Sequence, residues 1–218
     1  MEIAKRFDSV AETFDKISNR YTVARRYREI LKYARGKCLE VGAATAGIAS
    51  KHSEKNHILT DISYKMCKIA KKRNKAKTVC CDAERLPFRD KAFDTIISSE
   101  MIYYLNEPEL FVKESHRLLK RKGKLIMSSA NQDMQIYDKI RKFARKMGIK
   151  RMYFDDPVNS FMRMEDMEKL LRKNKFKIKV ANKIVLLPFR AFHGINRLAE
   201  RTFLKHFSIF IFIVAEKE

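Results

Sequence analysis

The sequence predicts an α/β protein built on a mainly parallel sheet with helices on both faces. Three observations lead there. Between residues 37 and 129, short apolar runs alternate with segments of helical period at the spacing of βαβ units. Glu40, Gly42, Asp61, Asp82 and Ser99 all fall at or just after the carboxyl ends of expected strands, where open α/β sheets bind their ligands. The 218 residues, 45% of them apolar, suffice for one good-sized domain with its own core.

Taken in order, Lys5–Lys16 and Arg20–Tyr33 have helical spacing, and Gly36 ends the second of them. Lys37–Val41 reads as a strand, followed by a small-residue turn and a helix starting near Ala46. His57–Asp61 is a second strand, and Ser63 caps a helix over Tyr64–Arg73. Thr78–Cys81 and Phe93–Ser98 are the next strands, with Cys80 and Cys81 expected to be buried. A helix over Glu109–Leu119 leads through a turn at Gly123 into a fifth strand, Lys124–Ser129. Strand and helix would thus alternate five times. In the last third, Asp133–Met147 is an amphipathic helix, the Asp155–Asn159 stretch a mobile loop broken by Pro157, and Met164–Lys173 a helix. Phe176–Ala181 is a strand, Ala191–Leu204 helical, and Phe207–Ala215 a final apolar strand.

Composition narrows the function. Met1–Asp8 is polar and charged, so no secretory leader is expected there, and the longest apolar run, Ile209–Ala215, is too short to cross a bilayer. Cys38, Cys67, Cys80 and Cys81 show no C-x-x-C spacing, which argues against zinc and against disulfides, and for the cytoplasm. The formal charge is +22, and Lys65–Lys77, Lys139–Arg151 and Lys169–Lys183 each carry seven basic residues and no acid. Such a surface attracts RNA, DNA, anionic lipid or acidic metabolites, but a solvated lysine-rich surface is the favoured account. No aromatic ladder interleaves the basic residues as a nucleic-acid platform would. The stretch LLPFRAFHGINRLAERTF pairs apolar with basic faces, which suits an amphiphilic or anionic acceptor at a membrane surface, although packing on the sheet is the favoured expectation.

The loop after the first strand, CLEVGAATAG, can be read in two ways. Gly42, Ala44 and Gly47 make a worn G-x-A-x-x-G dinucleotide fingerprint; Glu40-x-Gly42 is the mouth of a different loop. Asp61 follows Gly42 by 19 residues at the end of the next strand, which suits a carboxylate accepting from both ribose hydroxyls. Glu40 opposes a pyrophosphate and favours a cofactor with a positive amino group, and Ala44 puts a methyl where a pyrophosphate needs glycine. A phosphate-free adenosyl cofactor bearing an ammonium, S-adenosyl-L-methionine, satisfies these constraints.

With these motifs the sequence resembles the class I S-adenosylmethionine-dependent methyltransferase family, over nearly its whole length. CLEVGAATAG is similar to the first motif, LTDIS to the second, and CCDAERLPFRDKAFDTIISSEMIYYL to the third and fourth. ESHRLLKRKGKLIMSSAN and FDSVAETFDK resemble the subgroup of ubiquinone and menaquinone methyltransferases. The resemblance implies a Rossmann-like, seven-stranded sheet whose last strand, FSIFIFIVAEKE, runs antiparallel. It implies lid helices over residues 1–34, a cofactor-binding core over 37–130 and acceptor-side elements over 131–218, all in one domain. It places Glu40, Gly42, Ala43, Ala44, Asp61, Ile62, Asp82, Ala83 and Ser99 around the cofactor, with Phe14 or Tyr21 as a cover. The chain departs from the family at Ala44 and Ala46, where glycines are usual; a shifted loop or a catalytically silent relative would follow.

Methyl transfer from a sulfonium needs mainly alignment of the acceptor, and an oxygen acceptor also needs a base. Tyr103, Tyr104, His193 and His116 are candidates by residue type, although His116 is expected on a solvated helix face. Asp61 is expected to be solvated without ligand, or else to cap the helix that follows. The expected acceptor is a small molecule or a lipid- or sugar-linked intermediate; the alternatives are an RNA-modifying methyltransferase and a silent cofactor-binding module.

Overall fold

The structure, a computed structural model, describes residues 2–46, 56–73, 76–132, 161–185 and 190–218. Gly47, the helix expected after Ala46, the helix expected at Asp133–Met147 and the loop 155–159 lie outside the described residues.

Seven strands form one sheet: β1 Cys38–Val41, β2 His57–Asp61, β3 Lys77–Cys80, β4 Phe93–Ser99, β5 Leu119–Ala130, β6 Phe176–Ile184 and β7 Phe210–Lys217, in the order β3-β2-β1-β4-β5-β7-β6. β1 to β5 pair in parallel, and β7 runs antiparallel between β5 and β6. The strand order reverses between β1 and β4, so a crevice opens beyond their carboxyl ends.

Strand alternation sorts the core into two layers. Leu39, Ile96, Met127 and Ile213 face one side, packed with Phe111 of α5 (Pro108–Leu118) and Met167 of α6 (Met164–Lys173). Cys38, Ile97, Ile126 and Phe212 face the other, packed with Ile30 of α3 (Arg20–Tyr33) and Ala34, the residue that caps its end. Ile30 is fully buried, which contributes on the order of 2 kcal/mol. Helix α4 (Tyr64–Arg73) lies on β2 and β3, and the Ser63 hydroxyl caps it by accepting from Met66 N–H at 3.1 Å.

Several elements differ from expectation. The segment expected as one helix at Lys5–Lys16 forms two, α1 (Glu2–Val10) and α2 (Phe14–Ile17), separated by a turn in which Thr13 N–H donates to Val10 O. No helix joins β3 to β4; residues 81–92 are turns clamped by Arg117, which donates to Phe88 O at 2.8 Å and Leu86 O at 3.1 Å. Gly123 is not a turn. It lies inside β5, where an added Cβ would come within 2.9 Å of Lys120 O and 3.2 Å of Asp94 O, so close backbone approach demands glycine. Cys80 is exposed because β3 is the edge strand. The helix expected at Ala191–Leu204 divides into a 3₁₀ turn, α7 (His193–Ala199) and a second 3₁₀ turn at Phe203–Phe207, and the last strand starts only at Phe210.

Candidate active site

A cavity of about 370 Å³ occupies the crevice at the strand-order reversal. Its floor is the β1 loop, with Glu40, Gly42, Ala43 and Ala44; its sides are Asp61 and Ile62 after β2, Asp82 and Ala83 after β3, and Ser99, Tyr103 and Tyr104 after β4. The N-terminal helices supply the remaining wall through Phe7, Phe14 and Asn19, then Thr22 and Arg26 of α3. The size suits a small organic ligand.

The loop geometry follows from its residues. Gly42 has φ +72°, and a Cβ there would meet Met101 Cγ at 2.6 Å, so both conformation and space require glycine. Ala44 (φ +45°) and Ala46 (φ +68°) hold left-handed conformations that glycine would adopt without strain. The two alanines therefore keep the turn that glycines would make, at a cost of about 1–2 kcal/mol each. Ala43 N–H donates to Thr60 O at 2.9 Å, and Ala44 N–H to Asp61 Oδ2 at 2.8 Å.

Asp61 is buried, contrary to the expectation of a solvated acid. Its Oδ1 accepts from Ser63 N–H at 2.9 Å while its Oδ2 holds the loop. Burial raises its pKa to about 6, against the lowering effect of those backbone donors. Glu40 is also buried, with Oε2 3.4 Å from His57 Nε2. Both carboxylates stand at the loop where a pyrophosphate would have to lie.

Sequence reasoning missed Glu100 and Arg26. Glu100 follows β4 with a left-handed φ of +58°, which turns its side chain into the cavity wall. Its Oε1 accepts from Ser128 Oγ at 3.0 Å and lies 3.7 Å from Arg26 Nε, and burial raises its pKa. Arg26 lies over the Phe210 ring at 4.4 Å. Glu100 gives the wall a carboxylate able to take a proton or pair with a cationic group. The run Ser98–Met101 held the signal for Glu100, an acid directly after an apolar strand; nothing in the pattern marked Arg26.

Tyr21 and His193 do not line the cavity. They meet each other instead, Tyr21 Oη to His193 Nδ1 at 3.2 Å, and Asn196 Nδ2 donates to Tyr21 Oη at 2.8 Å. His116 is half-buried rather than solvated, edge-on to Phe176 with ring centroids 5.4 Å apart. Burial pushes the Cys81 thiol up to about 12, which leaves it inert as a nucleophile.

Residues 39–127 match the family model described as a methyltransferase domain. Over this stretch the chain is similar to methyltransferase domains. The chain is 30% identical to a malonyl-[acyl-carrier protein] O-methyltransferase of Marinomonas sp. over 60% of its own length and 52% of that protein's. It is 30% identical to a demethylmenaquinone methyltransferase of Renibacterium salmoninarum over 57% of its length and 60% of that protein's. The chain thus spans between half and three fifths of these relatives. Its fold matches a crystal structure from Thermotoga maritima, described as an S-adenosylmethionine-dependent methyltransferase and possible histamine N-methyltransferase, with TM-score 0.74, 24% identity and coverage of 100% and 99%. Family and fold imply S-adenosylmethionine as cofactor. The donor set fits it: two buried carboxylates suit a molecule with a ribose diol and an ammonium, and the glycine floor has no room for a side chain. No helix among the described residues is long and apolar enough to cross a membrane.

Replacing Ala44 with glycine should relieve its left-handed strain and raise stability by about 0.5–1 kcal/mol, after the entropy that glycine adds to the unfolded chain. Urea midpoints would show this; a midpoint lowered by the substitution would mean that the loop is not strained.

Proposed function

We propose that this protein binds S-adenosylmethionine in the strand-end cavity and catalyses methyl transfer to a small-molecule or lipid- or sugar-linked acceptor. The observation that carries this reading is the convergence of buried Asp61, buried Glu40 and the Gly42 loop on one cavity beside the strand-order reversal.

Asp61 would accept from the ribose hydroxyls through the lone pairs its two backbone donors leave over, and Glu40 would face the ammonium. Asp82 and Ala83 would border the adenine, and Arg26 would meet the carboxylate. The bound cofactor would supply a methyl group already activated on a sulfonium. The protein's part is alignment and exclusion of water, and alignment alone lowers such barriers by about 7–11 kcal/mol in favourable cases. Tyr103, Tyr104 and Glu100 border the space left for the acceptor. The named relatives act on different acceptors, so the acceptor class rests on this chain's own wall: the rings of Phe7, Phe14 and Tyr104 beside the Arg26–Glu100 pair.

Asp61→Ala should weaken S-adenosylmethionine binding by about 1.5–3 kcal/mol, the range for hydrogen bonds to charged groups. It should also cost about 1–3 kcal/mol of stability, because the Ala44 and Ser63 N–H groups lose their acceptor. Asp61→Asn should fall between. Titration calorimetry and urea melts on the two variants test this, and unchanged affinity would remove Asp61 from the site. A tritiated-methyl assay against cell extract should put label in the small-molecule or lipid fraction; label confined to RNA would replace the acceptor assignment.

The N-terminal helices act as a lid in this reading. Asp8 Oδ1 accepts from the Ser63 hydroxyl at 2.5 Å, Thr45 Oγ1 donates to Asp15 Oδ1 at 2.6 Å, and the Phe7 ring meets Tyr104 edge-on at 5.1 Å. α1 and α2 are thereby tied to the cavity rim by a few polar contacts. Amide exchange over residues 2–23 should slow when S-adenosylmethionine binds. Unchanged exchange there, with slowing at Gly42, would refute the lid.

A further inference from the structure

A second cavity, of about 420 Å³, lies on the opposite side of α3 from the first. It is lined by Arg25, Arg28 and Lys32 of α3, Lys183 of β6, and Arg197 and Arg201 in and after α7, against the two carboxylates of Glu29 and Glu200. Arg25 takes up Glu200 at 2.7 Å, and Lys32 takes up Glu29 at 2.7 Å. Among the described residues no acid pairs with Arg28, Arg197 or Arg201, so the cavity holds surplus positive charge.

The same segment exposes apolar side chains. Ile195 is 51% exposed, Leu198 67%, Phe203 73% and Phe207 57%, so these side chains do not pack on the sheet. On α7, Asn196 and Ala199 face inward, Ile195 and Leu198 form one outer flank, and Arg197 lies on the other. Large exposed apolar groups beside unpaired cations mark a surface made for an amphiphilic, negatively charged partner.

We infer that residues 190–207 and the basic cavity beside them form a docking surface for an anionic phospholipid bilayer. The apolar groups enter the headgroup–acyl boundary while Arg28, Arg197 and Arg201 meet lipid phosphates. A second copy of the chain is a poor occupant, since each copy carries +22. RNA would use the cations but gains nothing from the aliphatic Ile195 and Leu198. The surface is joined to the first cavity: Tyr21 on α3 bonds His193 and Asn196 of α7, and Arg25 bonds Glu200, while Thr22 and Arg26 of the same helix line that cavity. Docking would therefore set the first cavity's α3 wall close to the bilayer. The inference does not rest on methyl transfer and is tested without cofactor.

The test is sedimentation of the full chain with vesicles of phosphatidylcholine alone or with phosphatidylglycerol. The chain should bind the anionic vesicles at least tenfold more tightly, less so as salt rises. Leu198→Ser with Phe203→Ser, and separately Arg197→Glu with Arg201→Glu, should each weaken that binding about tenfold or more. Lys71→Glu with Lys72→Glu, an equal charge change on exposed α4 positions, should alter it less than twofold. Melting curves establish that each variant is folded, and Ile195→Ser stands in for the apolar pair if that pair is not. Failure to bind anionic vesicles, or equal loss in the α4 control and the arginine pair, overturns the proposal. So does apolar-variant binding as tight as the parent's. RNA binding lost with Leu198→Ser, or a dimer in sedimentation velocity dissociated by it, assigns the surface to another partner and overturns it too. Calorimetry with S-adenosylmethionine on the same variants reports separately on the first cavity.

Discussion

The buried carboxylate of Asp61 is the contact on which the candidate site depends. It joins two chain segments that share no strand pairing: the β1 loop through Ala44 N–H and the start of α4 through Ser63 N–H. Burial disfavours its charge, and backbone donors compensate only in part, so its pKa stays near 6. The loop it holds contains two left-handed alanines, a conformation that persists only where neighbouring groups fix it. Asp61 thus has a structural role, and it lines the cavity with acceptor capacity to spare for the ribose of the proposed reading.

Helix α3 is the second organising element. Its Ile30 and Ala34 complete one core layer, Thr22 and Arg26 line the first cavity, and Arg25 and Arg28 line the second. Thr22, Arg26, Ile30 and Ala34 recur at four-residue steps along one stripe, so the first cavity's wall runs into the core, while Arg25 and Arg28 lie on another side of the helix. Asn19 fixes where the helix begins, with Oδ1 accepting from both Tyr21 and Thr22 N–H at 3.1 Å. A shift of that cap would move the core contact and both cavity walls together.

Much of this was legible in the sequence where the signal was local. The bounds of β2, α4 and α3 follow from alternation, a serine cap and helical period, and the structure gives the same residues. The loop residues Glu40, Gly42 and Asp61 stood out because several acids and a glycine fall together at expected strand ends, and they do meet in one cavity. What depended on distant partners was not legible. Gly123 looked like a turn because the approach of Asp94 O, from another strand, leaves no local mark. Asp61 looked solvated because the elements that bury it arrive from elsewhere in the chain. Tyr21 looked like a cover because its helix was expected over the cofactor, but its position turns it toward α7. The exposure of Leu198 and Phe203 was hidden for the same reason: an amphipathic segment reads alike whether its apolar face meets the sheet or solvent.

In the proposed function Asp61 receives the hydroxyls of S-adenosylmethionine as a carboxylate. Folding raises its pKa, so protonated Asp61 favours the folded chain, and its ionised form costs stability as pH rises through about 6. A ligand donating to the carboxylate must lower that pKa, and its affinity must then fall as pH drops below 6. Calorimetric titration with S-adenosylmethionine at pH 7.5 and pH 5 measures this directly. The account predicts binding about tenfold weaker at pH 5 for the parent chain, and a nearly flat profile for Asp61→Asn. Equal affinity at the two pH values in the parent, or the same slope retained in the asparagine variant, would contradict it.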